Sequence, residues 1–160
     1  RDLLDFSREE TEPEVQPVDV GDCIGEALNL VEAQPKAREV EFSTDVPDDV
    51  EVEAIPSRLV QVLVNLLINA VDAVGEKGCV EVCVIEDDQR TAIEVRDDGP
   101  GLDPDDTARI FDPFFTTKEP GEGTGLGLAI SLRIMRRLGG DIEVDSGPGE
   151  GTTFRLVFPG

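Results

Sequence analysis

Residues 56–75 read PSRLVQVLVNLLINAVDAVG. Proline suits the first position of a helix, and Leu59, Val62, Leu63, Leu66, Leu67, Ala70, Ala73 and Val74 recur at three and four residues until Gly75. That spacing predicts one long helix with an apolar face, stopped by glycine. Asn65 and Asn69 interrupt it four residues apart, so their side chains leave the helix on one side, about 6 Å apart along the axis. Two such amides read either as satisfied polar neighbours or as oxygen donors to a hard cation. Mg²⁺ fits the second reading, because it takes few protein ligands and keeps waters and phosphate oxygens.

Upstream, residues 1–10 (RDLLDFSREE) mix Leu3, Leu4 and Phe6 with charges and read as the tail of a helix, and TEPEVQPVDV reads as a linker entering a short strand. Residues 21–37 carry Ile24, Ala27, Leu28 and Val31 at helical spacing. Residues 40–44 and 50–54 alternate around Pro47, Asp48 and Asp49, which predicts a helix followed by a hairpin. Downstream, residues 79–85 and 91–97 alternate as strands. Residues 98–125, rich in Gly, Pro, Asp and Thr, are too long for an ordinary connection and read as a lid. Residues 126–138 predict a helix with Ile130, Ile134 and Leu138 on its stripe, ended by Gly139 and Gly140; residues 141–146 and 152–158 predict a closing hairpin. The sum is an α/β fold, a two-layer sandwich of a mixed, largely antiparallel sheet with three helices on one face.

Composition narrows the function. The 160 residues suit one domain, and the 39% hydrophobic share arrives in periodic runs, as in a folded chain. Thirty-six acidic residues against fourteen basic ones give a formal charge of -22, which repels nucleic acid and anionic membrane surfaces. Lys36, Lys77 and Lys118 are the only lysines. Heavy acid loading with scarce lysine suggests work in concentrated salt, as in a halophilic organism, where self-repulsion is screened. Cys23, Cys79 and Cys83 make an odd count without CxxC, and the chain has no His, so neither a disulfide framework nor a zinc site is indicated. The thiols read as core filling in a reducing, cytoplasmic setting. No segment is read as a membrane span of roughly 20 apolar residues, and no signal segment opens the chain.

Three further patterns carry chemistry. Ile93 and Val95 share a strand face, and period two places Asp97 on that inward face. A carboxylate aimed inward needs a donor, and the adenine amino group is one. The glycines of DDGPG (97–101) let backbone approach a flat base. Next, GEGTGLG (121–127) runs directly into a helix, where free N–H groups and the dipole favour phosphate; it is neither a P-loop nor a dinucleotide-binding turn. Lastly, Phe111, Phe114 and Phe115 cluster in the polar lid as a groove anchor, and Lys118 is the lid's only lysine, placed for a phosphate contact.

In this order and spacing, NLLINAVDA, RDDGPG, FDPFFTTK and GTGLGLAI resemble the N, G1, F and G2 boxes of sensor histidine kinase catalytic domains in the GHKL ATPase superfamily, whose fold is the Bergerat fold. The closing GGDIEVDSGPGEGTTFRLVFP is similar to the family's last hairpin. The resemblance implies an ATP-binding catalytic domain over residues 15–160, with 1–14 as the end of a dimerisation and histidine-phosphotransfer helix plus linker. It implies that Asn69 ligates Mg²⁺, Asp97 takes the adenine amino group, and Gly99 and Gly101 shape the base pocket. It also implies that Phe115, Thr117, Gly123, Thr124, Gly125, Leu126 and Gly127 flank ATP, with Asn65, Asn69 and Lys118 catalytic. Hydrolytic relatives carry a water-activating Glu where this chain has Asn65, which favours transfer to an outside histidine. Implied partners are ATP and ADP, the phosphotransfer domain of a homodimeric full-length kinase, and a response regulator; the fragment itself reads as a monomer without membrane contact. Two positions depart from the pattern. Ile55 stands where many members have a capping Asp, leaving the cap to Ser57 or absent. Asp72 stands where some carry a phosphate-touching Lys or Arg, a contact left to Lys118, since Arg133, Arg136 and Arg137 read as solvated helix surface.

Overall fold

The computed structural model describes residues 14–75, 77–115 and 127–159. In chain order the elements are β1 (Gln16–Asp19), α1 (Val20–Glu32), a 3₁₀ turn (Pro35–Ala37), β2 (Val40–Asp45), β3 (Glu51–Ala54), α2 (Pro56–Val74), β4 (Gly78–Glu86), β5 (Arg90–Asp97), α3 (Pro104–Arg109), α4 (Gly127–Arg137), β6 (Asp141–Ser146) and β7 (Thr152–Pro159). Five strands form one sheet in the order β2-β4-β5-β7-β6, and β1 and β3 form a separate pair. Only β2 and β4 run parallel in the large sheet; the other neighbours are antiparallel. The observed architecture is the mixed α/β sandwich anticipated above, with α2 as its central helix.

Helix α2 owes its position to its periodicity. Leu59, Val62, Leu63, Leu66, Leu67 and Ala70 are buried, and across from them lie Val80, Val82, Ile93, Val95, Leu156 and Phe158 of the sheet. No side chain caps its start: Pro56 occupies the first turn, Ile55 sits at the cap position, and the Ile55 carbonyl accepts from the backbone N–H of Arg58 and Leu59. Ser57 therefore does not supply a cap. Helix α1 is capped instead by Asp19, whose Oδ1 accepts from the Asp22 N–H at 2.9 Å.

Several expectations are corrected. Residues 40–44 and 50–54 do not form a hairpin: β2 lies beside β4 with Phe42 opposite Val80, and β3 pairs with β1. Alternation says which face of a strand is buried and leaves its partner open. On α4 the fully buried residues are Ser131 and Met135, while Ile130, Ile134 and Leu138 are only partly covered. The helix is thus turned by one residue, about 100°, and the small Ser131 lets it sit close to α2. Helix α2 is 19 residues long with mean hydropathy 1.4, long and apolar enough to cross a membrane by composition, contrary to the reading that no segment is. Its apolar face is instead spent on the core. Cys23 and Cys83 are buried, but Cys79 is exposed on the outer side of β4. Helix α3 was not anticipated within the lid. Asp103 caps it, accepting from Asp106 N–H at 2.8 Å, and Pro104 opens it.

Candidate functional site

One stripe of α2 organises the site. Asn65, Asn69 and Ala73 follow one another at four-residue steps, a line about 12 Å long. Both asparagines are half-buried. At the Ala73 end, the loop after β5 packs directly on the helix. A Cβ added to Gly99 would stand 2.7 Å from the Ala73 carbonyl oxygen, so only glycine allows this approach. At the Asn65 end, Gly127 opens α4, and the Asn65 side chain donates from Nδ2 to the Gly127 carbonyl at 3.4 Å and to Ser131 Oγ at 3.2 Å.

Asp97 ends β5, half-buried on the face shared with Ile93 and Val95. Its Oδ1 accepts from the Gly99 N–H at 2.9 Å. Burial pushes its carboxyl above the ordinary value and the charge of Asp98 adds to this, outweighing the pull of the Gly99 and Thr152 backbone N–H groups. The 97–101 turn is stitched in place. Asp98 Oδ1 accepts from Cys79 N–H at 2.9 Å, Leu102 N–H donates to Ser146 Oγ at 2.8 Å, and Gly149 N–H donates to the Pro100 carbonyl at 2.6 Å. Gly101 has φ +76, and a Cβ there would collide with the Gly147 carbonyl. The closing hairpin therefore braces the loop that holds Asp97.

The three phenylalanines separate. Phe111 stands edge-on to Phe154 of the core, with ring centroids 6.4 Å apart, and Phe115 lies under the Arg109 guanidinium at 4.7 Å. Phe114 is 72% exposed with φ 67, so the cluster is not one anchor as expected. Thr117, Lys118, Gly123, Thr124, Gly125 and Leu126 lie outside the described residues.

Asp72, on the same side of α2 as Asn69, pairs with Lys36 Nζ at 2.8 Å. Sequence reading missed Lys36, because a partner 36 residues away on a 3₁₀ turn leaves no local signal. On α4, Arg136 lies 3.5 Å from Asp141 on the exposed surface. Among the described residues no group of three or more His, Cys, Asp or Glu could hold a metal. Asn69, a half-buried neutral oxygen donor on this stripe, instead suits a hard cation that takes one or two protein ligands and completes its shell with water and phosphate oxygens.

Away from this stripe, the outer sheet face carries a charge network. Glu94 is 3% exposed, and its carboxylate accepts from Arg155 Nε at 2.7 Å and from Arg96 Nε at 3.1 Å. Arg155 also reaches Glu143 and Asp145, each at 3.1 Å. Burial pushes Glu94 up, but the two guanidiniums together outweigh it and hold the carboxyl below the usual range.

Residues 54–160 match the family described as histidine kinase-, DNA gyrase B-, and HSP90-like ATPase. The chain is 41% identical over 146 residues to the sensor histidine kinase ZraS of Escherichia coli (strain K12), an alignment covering 91% of this chain and 31% of ZraS. It therefore spans about a third of that relative. Among solved structures, the nucleotide-free catalytic domain of histidine kinase ThkA superposes with a TM-score of 0.81 at 32% identity, covering 91% of this chain and 95% of that one. Full-length ShkA in complex with AMPPNP superposes with a TM-score of 0.79 at 33% identity, covering 95% of this chain and 32% of ShkA.

Proposed function

Since the chain belongs to the histidine kinase-, DNA gyrase B-, and HSP90-like ATPase family, we propose that it binds Mg-ATP and donates the γ-phosphoryl group to a histidine on a separate dimerisation domain of a two-component sensor kinase. The observation that carries this reading is the single α2 stripe that joins Asn65 and Asn69 to the Gly99 turn and, through it, to the half-buried Asp97. The AMPPNP bound by ShkA supports a nucleotide as the ligand. The chain has no histidine, so the acceptor lies outside this sequence, and a response regulator would take the phosphoryl group onward.

In this mechanism Asp97 accepts a hydrogen bond from the adenine amino group, and Gly99 and Gly101 keep the floor under the base flat. Asn69 would offer its amide oxygen as a protein ligand to Mg²⁺, which when bound would neutralise charge on the phosphates. Asn65 cannot serve as a general base, and its NH₂ is engaged with α4. A neutral imidazole nitrogen needs no such base. It attacks the γ-phosphorus, the N–P bond forms, and the bond to the β,γ-bridging oxygen breaks with ADP as leaving group. The protein's contribution is positioning and charge placement. Lys118, Thr117 and the glycines of 121–127 are proposed to complete the phosphate side.

The test is a calorimetric titration with Mg-ATP of the wild type, Asp97→Asn and Asn69→Ala. Asp97→Asn should lose roughly 1.5–3 kcal/mol of binding free energy, the range of a charged hydrogen bond. Asn69→Ala should lose the Mg²⁺-dependent part of the affinity. A wild type that is folded and binds no nucleotide would overturn the reading.

A further inference from the structure

Ser131 is the one side-chain hydroxyl of α4, fully buried, and it faces Asn65 across the α2–α4 contact. A main-chain carbonyl can only accept hydrogen bonds. The group that Asn65 turns toward the Gly127 carbonyl must therefore be its NH₂, and Ser131 Oγ at 3.2 Å is the shorter of the two acceptors. With both acceptors on the α4 side, the planar amide turns Oδ1 away from them. Flipping the amide would reverse this and offer two N–H groups where a cation needs an oxygen.

Resting on the Mg-ATP reading above, we propose that Ser131 is a positioning residue: its hydroxyl locks the Asn65 amide with the NH₂ toward α4, which leaves the oxygen, and not the NH₂, available to the metal that Asn69 would hold. Held this way, Asn65 would be a second hard-oxygen donor beside Asn69 when Mg²⁺ is bound. Among the described residues, loss of the hydroxyl leaves the amide the 3.4 Å contact to Gly127, at the long limit of a hydrogen bond.

The experiment measures affinity for a non-hydrolysable ATP analogue with Mg²⁺ and again with a chelator in its absence, together with the melting temperature of the nucleotide-free protein. Ser131→Ala should reduce the Mg²⁺-dependent gain in affinity about ten-fold, with metal-free affinity and melting temperature near wild type. Ser131→Cys, nearly the same size with a weak sulfur acceptor, should behave like the alanine variant. In an Asn65→Ala background, Ser131→Ala should have no further effect, as expected of two residues acting as one unit. The proposal is overturned if affinities with and without Mg²⁺ fall together, if the cysteine variant retains the full gain, or if the two substitutions act additively. A wild type with Mg²⁺-dependent binding and an unchanged Ser131→Ala variant sinks this inference alone. A wild type that binds no nucleotide sinks the Mg-ATP reading with it.

Discussion

Gly99 and Asp97 were both legible before any coordinates, for different reasons. Period two along 93–97 put Asp97 on the buried face, and the structure leaves it half-buried there. Glycine at 99 suggested close backbone approach, and the approaching group is the Ala73 carbonyl. Gly99→Ala should lift the turn from α2, destabilising the protein by about 1–3 kcal/mol, as overpacking does, and weakening nucleotide binding; urea unfolding and calorimetry check the two effects. Asp97 also carries a pH signature. Its folded pKa is raised, so ionised Asp97 opposes folding, and this penalty is relieved as pH falls through the raised value. Nucleotide affinity runs the other way, since the base needs the carboxylate. Affinity should decline on acidification starting above the ordinary 3.8, in a titration that Asp97→Asn abolishes. By contrast, the Lys36 to Asp72 pair and the Asn65 to Ser131 contact join residues 36 and 66 positions apart, and neither residue type announces its partner.

Among the elements, α2 was the most readable, because helix period, opening proline and closing glycine are all local signals. Helix α3 carried its own signal, Asp103 followed by Pro104 and two acids, but it was submerged in the glycine-rich composition around it. Strand β5 shows how an outer face can be as demanding as an inner one. Glu94 is buried opposite the helices and depends on Arg155, its direct cross-strand neighbour on β7. Arg155→Ala leaves that carboxylate buried with Arg96 and the Cys83 thiol and should destabilise the fold by about 3 kcal/mol, within the range for breaking a buried pair. The sign of the pH effect follows from Glu94's depressed pKa: its stabilisation is full above the unfolded value, 4.5, and is lost as pH falls through the lower folded value. Wild type should therefore lose stability in acid below about 4.5, and Arg155→Ala should lose less, as denaturant midpoints across pH will show.

The whole molecule carries a charge of -22, and the network around Glu94 engages several of its arginines with acids, leaving most acids to repel one another. Screening this repulsion should raise the unfolding midpoint steadily between low and molar KCl; a flat or falling midpoint would remove the reading of the chain as adapted to salt. Sequence alone was sufficient for the strongly periodic facts: that α1, α2, α4 and the strands exist, which side of α2 and β5 is apolar, and the order and spacing of the N, G1, F and G2 boxes. Each of these depends on a few neighbouring residues. Tertiary structure alone decided that β2 joins β4 in parallel while β3 takes β1, that α4 turns Ser131 rather than Ile130 to the core, and that Lys36 sits on Asp72. Those choices are sums of many weak contacts between distant segments, and alternation or helical spacing is equally compatible with several of them.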